Sequence, residues 1–335
     1  MALDSTCRRD FLKAVGGAVL TTSLFTGNLK GANDRVNLAF LGVGRMGSAN
    51  IGYAARVPGF ELTAVCDVRQ PALDRFAGVR ASRDFREILA DLSIDAVCIS
   101  TPDHWRACMT VEACRAGKDV YVETPSFVYV AEGVKMVEAA RHYKRVVQAG
   151  TVQRSAAPVR KAREMIKSGA LGEVRFCRAF QNAMTDGGVH LMDIVQFAFD
   201  EAMPLSISAQ GARPGSMLAT FRYPGFVASY ESRAGNGDGT AFHGSNATLL
   251  VSRAAGTHVA HWENFLECIR TRAKPVSEIE TCVRSTTTCA LAGIAMRHGT
   301  TLDWDDRAFR VKQHDAKQYL EGDVVPGPER KLCRS

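Results

Sequence analysis

The sequence predicts an α/β chain whose first part is an open parallel sheet with helices on both faces. Three observations predict it. Residues 36–47, VNLAFLGVGRMG, run a short aliphatic stretch into Gly42-x-Gly44-x-x-Gly47. A second apolar run, residues 61–68 (ELTAVCDV), puts Asp67 twenty residues beyond Gly47. Apolar runs and amphipathic stretches then alternate as far as residue 149, the pattern of parallel strands joined by helices.

The first run is short and aliphatic, as expected of a strand buried on both faces. The glycines after it suit a dinucleotide turn. Gly42 makes the tight bend, Gly44 lets backbone approach a pyrophosphate, and Gly47 allows a helix to pack closely on the strand. Arg45 and Met46 complete the turn, with Arg45 placed to offset pyrophosphate charge. Asp67 stands where a carboxylate accepts hydrogen bonds from an adenosine ribose. That favours NAD, because a carboxylate repels a 2′-phosphate; Arg69, two residues on, keeps NADP open.

The next elements follow in order. Residues 71–76 and 84–90 read as short helices. Residues 94–100 (IDAVCIS) read as a buried strand ending in TPDH. Ligands of open α/β sheets sit beyond the carboxyl ends of strands, so Thr101, Pro102 and His104 are placed to touch cofactor. His104 serves equally well as a cap on the helix expected over 105–116. A strand over 119–122 runs into Glu123, Thr124 and Pro125. A helix over 131–143 and a strand over 145–149 close the unit, and GTVQR, residues 150–154, opens a second domain.

Composition bounds the rest. The chain has 335 residues, 46% hydrophobic and 23% charged, which suits two globular domains. The formal net charge is +7, and no basic run with interleaved aromatics occurs, so nucleic-acid binding is not expected. No apolar stretch reaches the length of a membrane span. Ten cysteines include no CxxC and no Cys/His zinc spacing, so no metal is expected and most read as core thiols.

The start of the chain reads as an address. TCRRDFLK, residues 6–13, carries a paired arginine and is followed by an apolar stretch over 14–25, the pattern of a twin-arginine export signal. Cys7 replaces the usual Ser or Thr, and residues 30–32 are no clean cleavage site. A periplasmic or otherwise exported protein is expected, and a cytoplasmic one if that leader is silent. Export would favour a dinucleotide that stays bound and is recycled in place. The divisions are residues 1–32 (leader), 33–150 (dinucleotide-binding domain) and 151–335 (substrate and oligomerisation domain with a C-terminal arm).

In the second domain, residues 186–199 (DGGVHLMDIVQFAF) read as a helix capped by Asp186. Asp186, His190, Asp193 and Phe197 are spaced four, three and four apart and share a face. Carboxylates bracketing an imidazole raise its pKa and select its tautomer, which suits a group that removes a hydroxyl proton. An N-cap beside a satisfied histidine fits the same spacing. Gln153 and Arg154 are candidate substrate contacts, and Arg154 is equally a helix-start arginine. Strands are expected over 172–180, 205–212, 217–223 and 226–233, a loop over 235–239, and helices over 157–168, 262–270 and 281–297. His243 is a further candidate for lining the site, and residues after 324 read as an extended arm.

Taken in series, GVGRMG, CDV, STPDHW, YVETP, AGTVQRS and DGGVHLMD resemble the glucose–fructose oxidoreductase / inositol dehydrogenase family, often called Gfo/Idh/MocA, and most closely its exported branch. The resemblance covers nearly the whole chain after Asn33. It implies an N-terminal Rossmann domain and a C-terminal α/β domain with a large, mostly antiparallel sheet that often forms a homo-oligomer interface. It implies NAD or NADP between the domains and a sugar, sugar acid, cyclitol or glycoside as substrate, oxidised net or transiently. The family's Asp-x-x-x-His pair falls on Asp186 and His190. Glu123 and Thr124 face the nicotinamide end, and Gln153, Arg154 and Asp193 fall at substrate-facing positions. The family usually has Glu-Lys-Pro where this chain has Glu123-Thr124-Pro125. Thr124 supplies no positive charge, which opens a second reading as a non-catalytic sugar- or cofactor-binding relative. The segment before Asp186 is also shorter than in exported relatives, which predicts an open or reshaped pocket.

Overall fold

The computed structural model describes residues 35–181, 187–211, 216–232 and 237–313. The leader, Asp186 and the C-terminal arm lie outside them. The first half builds β1 (Val36–Leu41), α1 (Arg45–Ala54), β2 (Phe60–Cys66), α2 (Gln70–Leu73), β3 (Arg80–Ser82), α3 (Phe85–Leu89), β4 (Ala96–Ile99), α4 (Asp103–Arg115), β5 (Asp119–Val122), α5 (Val130–His142) and β6 (Val147–Ala149). The six strands form one sheet in the order β3-β2-β1-β4-β5-β6, parallel throughout. The order reverses beside β1, so a crevice opens at the carboxyl ends of β1 and β4.

A 3-10 turn (Val152–Ser155) leads into α6 (Ala157–Lys167) and β7 (Val174–Gln181). Next come α7 (Gly187–Ala198), β8 (Ser206–Gln210), β9 (Met217–Arg222), β10 (Val227–Ser232), β11 (Gly239–Gly244), β12 (Thr248–Ser252), α8 (His258–Thr271), α9 (Ile279–His298), β13 (Leu302–Asp305) and β14 (Arg310–Val311). The second sheet runs β12-β11-β7-β10-β9-β8-β13-β14. Only β7 and β10 pair parallel in it, so the mostly antiparallel sheet expected from the resemblance is present.

Along β9 the burial alternates strictly, so one face of this sheet carries α7 and α9 and the other is open. The chain leaves β7, passes through α7, β8 and β9, and returns to β7's side as β10. The helix carrying His190 is therefore part of a parallel crossover.

The two halves share a core. On one face of the parallel sheet, Phe40, Phe60 and Tyr121 pack against Trp262 and Phe265 of α8. The Tyr121 and Trp262 rings stack at 4.3 Å, and Phe60 meets Trp262 edge-on at 5.5 Å. On the other face, Ile279, Cys282 and Val283 of α9 join the cluster beneath α4 and α5. The edge of β6 is closed by Ser277, whose carbonyl accepts from the Ala149 amide at 2.8 Å. Truncating Trp262 to alanine would cost about 3–5 kcal/mol, the usual range for a buried aromatic.

Cys66, Cys98, Cys114, Cys177, Cys268 and Cys282 are buried free thiols, as core thiols should be. Cys108 departs from that expectation and is disulfide-bonded.

Candidate functional site

The glycine turn has the shape its residues predict. Gly42 sits at φ +84°, in the left-handed region, and donates its amide to the Cys66 carbonyl at 2.7 Å. A Cβ on Gly47 would lie 1.9 Å from the Gly42 carbonyl oxygen, so α1 docks on the turn only because residue 47 is glycine. A Cβ on Gly44 would meet nothing nearer than the Arg69 guanidinium at 3.4 Å. Gly44 is the N-cap of α1, no side chain caps the helix, and its first turn holds no acid. The first-turn amides of α1 thus take no side-chain cap, with Arg45 exposed and Met46 half-buried beside them. That cradle fits a diphosphate: positive helix end, unspent N–H donors and no Cβ over Gly44.

Asp67 ends β2 beside this turn. Its Oδ2 accepts from the Val43 amide at 3.1 Å, and its Oδ1 accepts from the Arg69 amide at 3.0 Å and the Arg69 Nε at 3.1 Å. Burial pushes its pKa up, but the hydrogen bonds from Arg69 and Val43 win, and the carboxyl sits below its ordinary value.

At the end of β4, Thr101 is half-buried with its hydroxyl toward Met109, while Pro102 is exposed. His104 is exposed and leans on Asp103, which reads as surface capping of α4 rather than a group aimed into the crevice.

Glu123 and Thr124 end β5. Glu123 is buried, accepts from Asn50 Nδ2 at 2.8 Å and from the Thr124 amide at 3.3 Å, and lies 2.7 Å from where a Gly150 Cβ would be. Asn50 also donates to the Ser100 hydroxyl at 3.1 Å. A buried polar knot thus ties α1 to the ends of β4 and β5. Asn50 was not singled out from the sequence; a fully buried amide on the apolar face of the glycine-turn helix was the available signal.

Thr124 joins the halves. Its Oγ1 lies 3.3 Å from Nε2 of His190 on α7. His190 Nδ1 is shielded from solvent and finds no partner among the described residues. Burial pushes the imidazole down to about 3, and Arg253 and His258 push the same way. This corrects the expectation of an imidazole raised by two carboxylates. Asp186 is outside the described residues, and Asp193 is spent elsewhere.

Asp193 and Arg154 correct the sequence reading together. Arg154 is 1% exposed. It forks onto Asp193 at 2.7 and 2.8 Å and onto Glu201 at 2.6 and 2.7 Å. Asp193 also accepts from the Ser285 hydroxyl at 2.7 Å. Burial lowers the Arg154 pKa, but the two carboxylates outweigh it and hold the guanidinium firmly charged. The cluster clamps the 3-10 turn, α7 and α9, and leaves neither group free for substrate.

Gln153 is likewise structural, exchanging hydrogen bonds with the Ala254 backbone at 2.9 and 3.1 Å. His261 is satisfied on both nitrogens, by the Ser155 hydroxyl and the Ala149 carbonyl, each at 2.8 Å. His243 stacks on Phe176 on the open face of the second sheet, opposite α7. Arg253, and His258 when protonated, disfavour a charged His190. His258 stacks on Tyr53 of α1 at 4.2 Å.

A crevice at the carboxyl edge of a parallel sheet, a glycine cradle and an imidazole brought over from a second domain define a dinucleotide-binding architecture. Residues 36–151 match the Gfo/Idh/MocA model, described as an oxidoreductase family with an NAD-binding Rossmann fold. The match spans the parallel-sheet part of the chain.

The chain is similar to a glycosyl hydrolase family 109 protein of Shewanella baltica (31% identity; 41% of this chain, 38% of the relative). A second such protein, of Shewanella sp. strain W3-18-1, is 29% identical over the same shares. The chain thus spans well under half the length of these curated relatives. Solved structures share the fold. Scyllo-inositol dehydrogenase of Lactobacillus casei, with bound NAD(H) and scyllo-inositol, matches at TM-score 0.72 and 17% identity over 80% of this chain and 99% of its own. Myo-inositol 2-dehydrogenase of Lactobacillus plantarum matches at 0.71 and 16% over 80% and 99%.

Proposed function

We propose that this protein is an NAD(P)-dependent oxidoreductase acting on a sugar, sugar acid, cyclitol or glycoside, with His190 as the proton acceptor. The observation that carries this reading is the 3.3 Å approach of Thr124 Oγ1 to His190 Nε2, at the carboxyl edge of the dinucleotide sheet. Gly42, Gly44, Arg45, Met46 and Gly47 would hold the diphosphate, Asp67 the adenosine ribose, and Thr101, Pro102 and Glu123 would border the nicotinamide end. Bound nicotinamide supplies a hydride acceptor. The imidazole is neutral at pH 7, so Nε2 can accept a proton, and a loaded crevice must raise its basicity above that of the empty one for it to act as base. With Nδ1 sealed, Nε2 is the nitrogen left to take a hydroxyl proton, and the Thr124 hydroxyl orients it.

The names of the Shewanella relatives favour glycoside cleavage, reached by oxidising the sugar transiently and returning the hydride. The first experiment is to denature purified protein and identify any released nucleotide. The second is to incubate the protein with aryl glycosides and NAD. Cleavage without net reduction supports the redox-neutral cycle. Reduction without cleavage supports a dehydrogenase. A bound nucleotide that changes under no sugar supports the non-catalytic reading that Thr124 motivates.

Two further elements belong to the proposal. The paired-arginine leader is taken to route the protein out of the cytoplasm, which cell fractionation tests. The open sheet face, with Phe176, Leu218, Val227 and Leu250 exposed around the Arg178–Glu231 ion pair, is taken to join copies of the chain. Light scattering of the protein and of Leu218→Asp tests that.

A further inference from the structure

The helix packed on the parallel sheet also brings a charged end to the crevice. α8 runs against the strands. Near its start, His261 Nε2 meets the Ala149 carbonyl, at the end of β6, at 2.8 Å. Near its end, Leu266 and Arg270 close on Gly59, just before β2. The first turn of α8 therefore stands at the carboxyl edge of the sheet, where Thr124 meets His190. That turn holds no acid, and the N-cap residue, Thr257, caps nothing. Thr257 is 8% exposed, and its hydroxyl is sealed from solvent with no partner among the described residues. Arg253 lies just ahead, and Gln153 pins the residue after it, Ala254. The strand that Arg253 follows pairs Val251 with Thr240, whose hydroxyl donates to the Leu191 carbonyl, one residue beyond His190, at 3.4 Å. The Arg253 guanidinium makes no hydrogen bond among the described residues, since Asp238, at 3.9 Å, is too far for one. After burial, the Arg253 charge is the next influence that pushes both His190 and His258 down.

We propose that Arg253, Thr257 and the start of α8 form a subsite for an anionic group of the substrate, a carboxylate or a phosphate carried by the sugar. This rests on the carbohydrate reading above and deepens it by naming the substrate's charge. The start of a helix takes an anion through its amides and its dipole. Here no acidic side chain of the first turn competes for them. The Thr257 hydroxyl adds a donor, and Arg253 adds a two-point, charge-assisted contact. Asp238 holds Arg253 only loosely and gives way to a nearer anion. A seated anion also sets negative charge against Arg253, which relieves one of the influences that disfavour a charged His190. Substrate binding and the strength of the base then rise together.

Calorimetric titration of the full-length protein, saturated with NAD, tests this. Glucose is set against glucuronate and glucose 6-phosphate, and galactose against galacturonate. The uronates and the phosphate separate the two sources of charge. At least one anionic sugar should bind about tenfold or more tightly than its neutral partner. Arg253→Gln and Thr257→Val, each checked by thermal melting, should weaken that anion by roughly tenfold, as loss of a hydrogen bond to a charged group implies. Both should leave the neutral sugar within about twofold of wild type. Neutral sugars that bind as tightly as every anionic partner would overturn the proposal. So would an anion preference that survives in both variants, or a loss shared equally by neutral and anionic sugars. No binding of any sugar to the loaded protein would instead overturn the carbohydrate reading on which the proposal stands.

Discussion

The Thr124 hydroxyl and the His190 imidazole meet at 3.3 Å although 66 residues separate them, and they come from different domains. Replacing Thr124 by valine keeps the volume and removes the contact. Turnover should fall about tenfold, the weight of one neutral hydrogen bond to a reacting group, while nucleotide affinity stays within twofold. Thr124→Ser should retain most activity. Steady-state kinetics beside nucleotide titration check both; equal turnover in Thr124→Val would reduce the contact to packing.

Gly44 and Gly47 should separate fold from binding. Gly47→Ala places a Cβ against the Gly42 carbonyl oxygen and should destabilise the domain by several kcal/mol, at about the upper end for single substitutions. Gly44→Ala meets only the end of Arg69. It should melt near wild type yet bind dinucleotide at least about tenfold more weakly, because its methyl stands where a diphosphate must approach. Thermal melts with and without nucleotide distinguish the two.

Arg154 should matter for stability rather than for substrate. Arg154→Ala leaves Asp193 buried and unpaired, at a cost of about 3–5 kcal/mol. Arg154→Met with Asp193→Leu should recover part of the loss, since the buried charge is gone. Urea unfolding of the wild type and both variants reads this. A variant that kept wild-type stability but bound sugar poorly would return Arg154 to the substrate site.

Acid should weaken the fold through its histidines. Burial first, and then nearby positive charge, holds His190 at about 3 and His261 at about 4, against an ordinary 6.5. The unfolded chain therefore binds more protons below pH 6.5, so stability is full above that value. It should fall as pH drops toward 4, by up to roughly 1.4 kcal/mol per pH unit for each excluded proton. Urea midpoints at pH 7.5, 6 and 5 test the sign. His261→Gln should flatten the slope, and an unchanged slope would show that other groups set the acid limit.

The parallel sheet was legible because its signals are local. Aliphatic runs bounded by glycine and polar residues located β1 and α1, and β5 fell on residues 119–122 as expected. The later strands were harder. β11 and β12 are short and follow a glycine-rich loop, and β11, on which β12 pairs, lies against β7, some sixty residues earlier, so no nearby pattern places them in the sheet. Side-chain roles failed for the same reason. Whether Arg154 meets substrate or an ion pair is decided by Asp193 and Glu201, and whether Asp193 raises His190 is decided by Arg154. Those outcomes depend on long-range partners that spacing cannot display.

The closure of β6 by Ser277 and the seating of Trp262 against Tyr121 carry a consequence for modularity. The family-matching segment, residues 36–151, is no exchangeable cassette. Cut away from α8 and α9, it would present bare aromatic rings on one side and an uncapped strand rim along another, inviting self-association. A change to the second half that unseated either helix would therefore expose the first half as well.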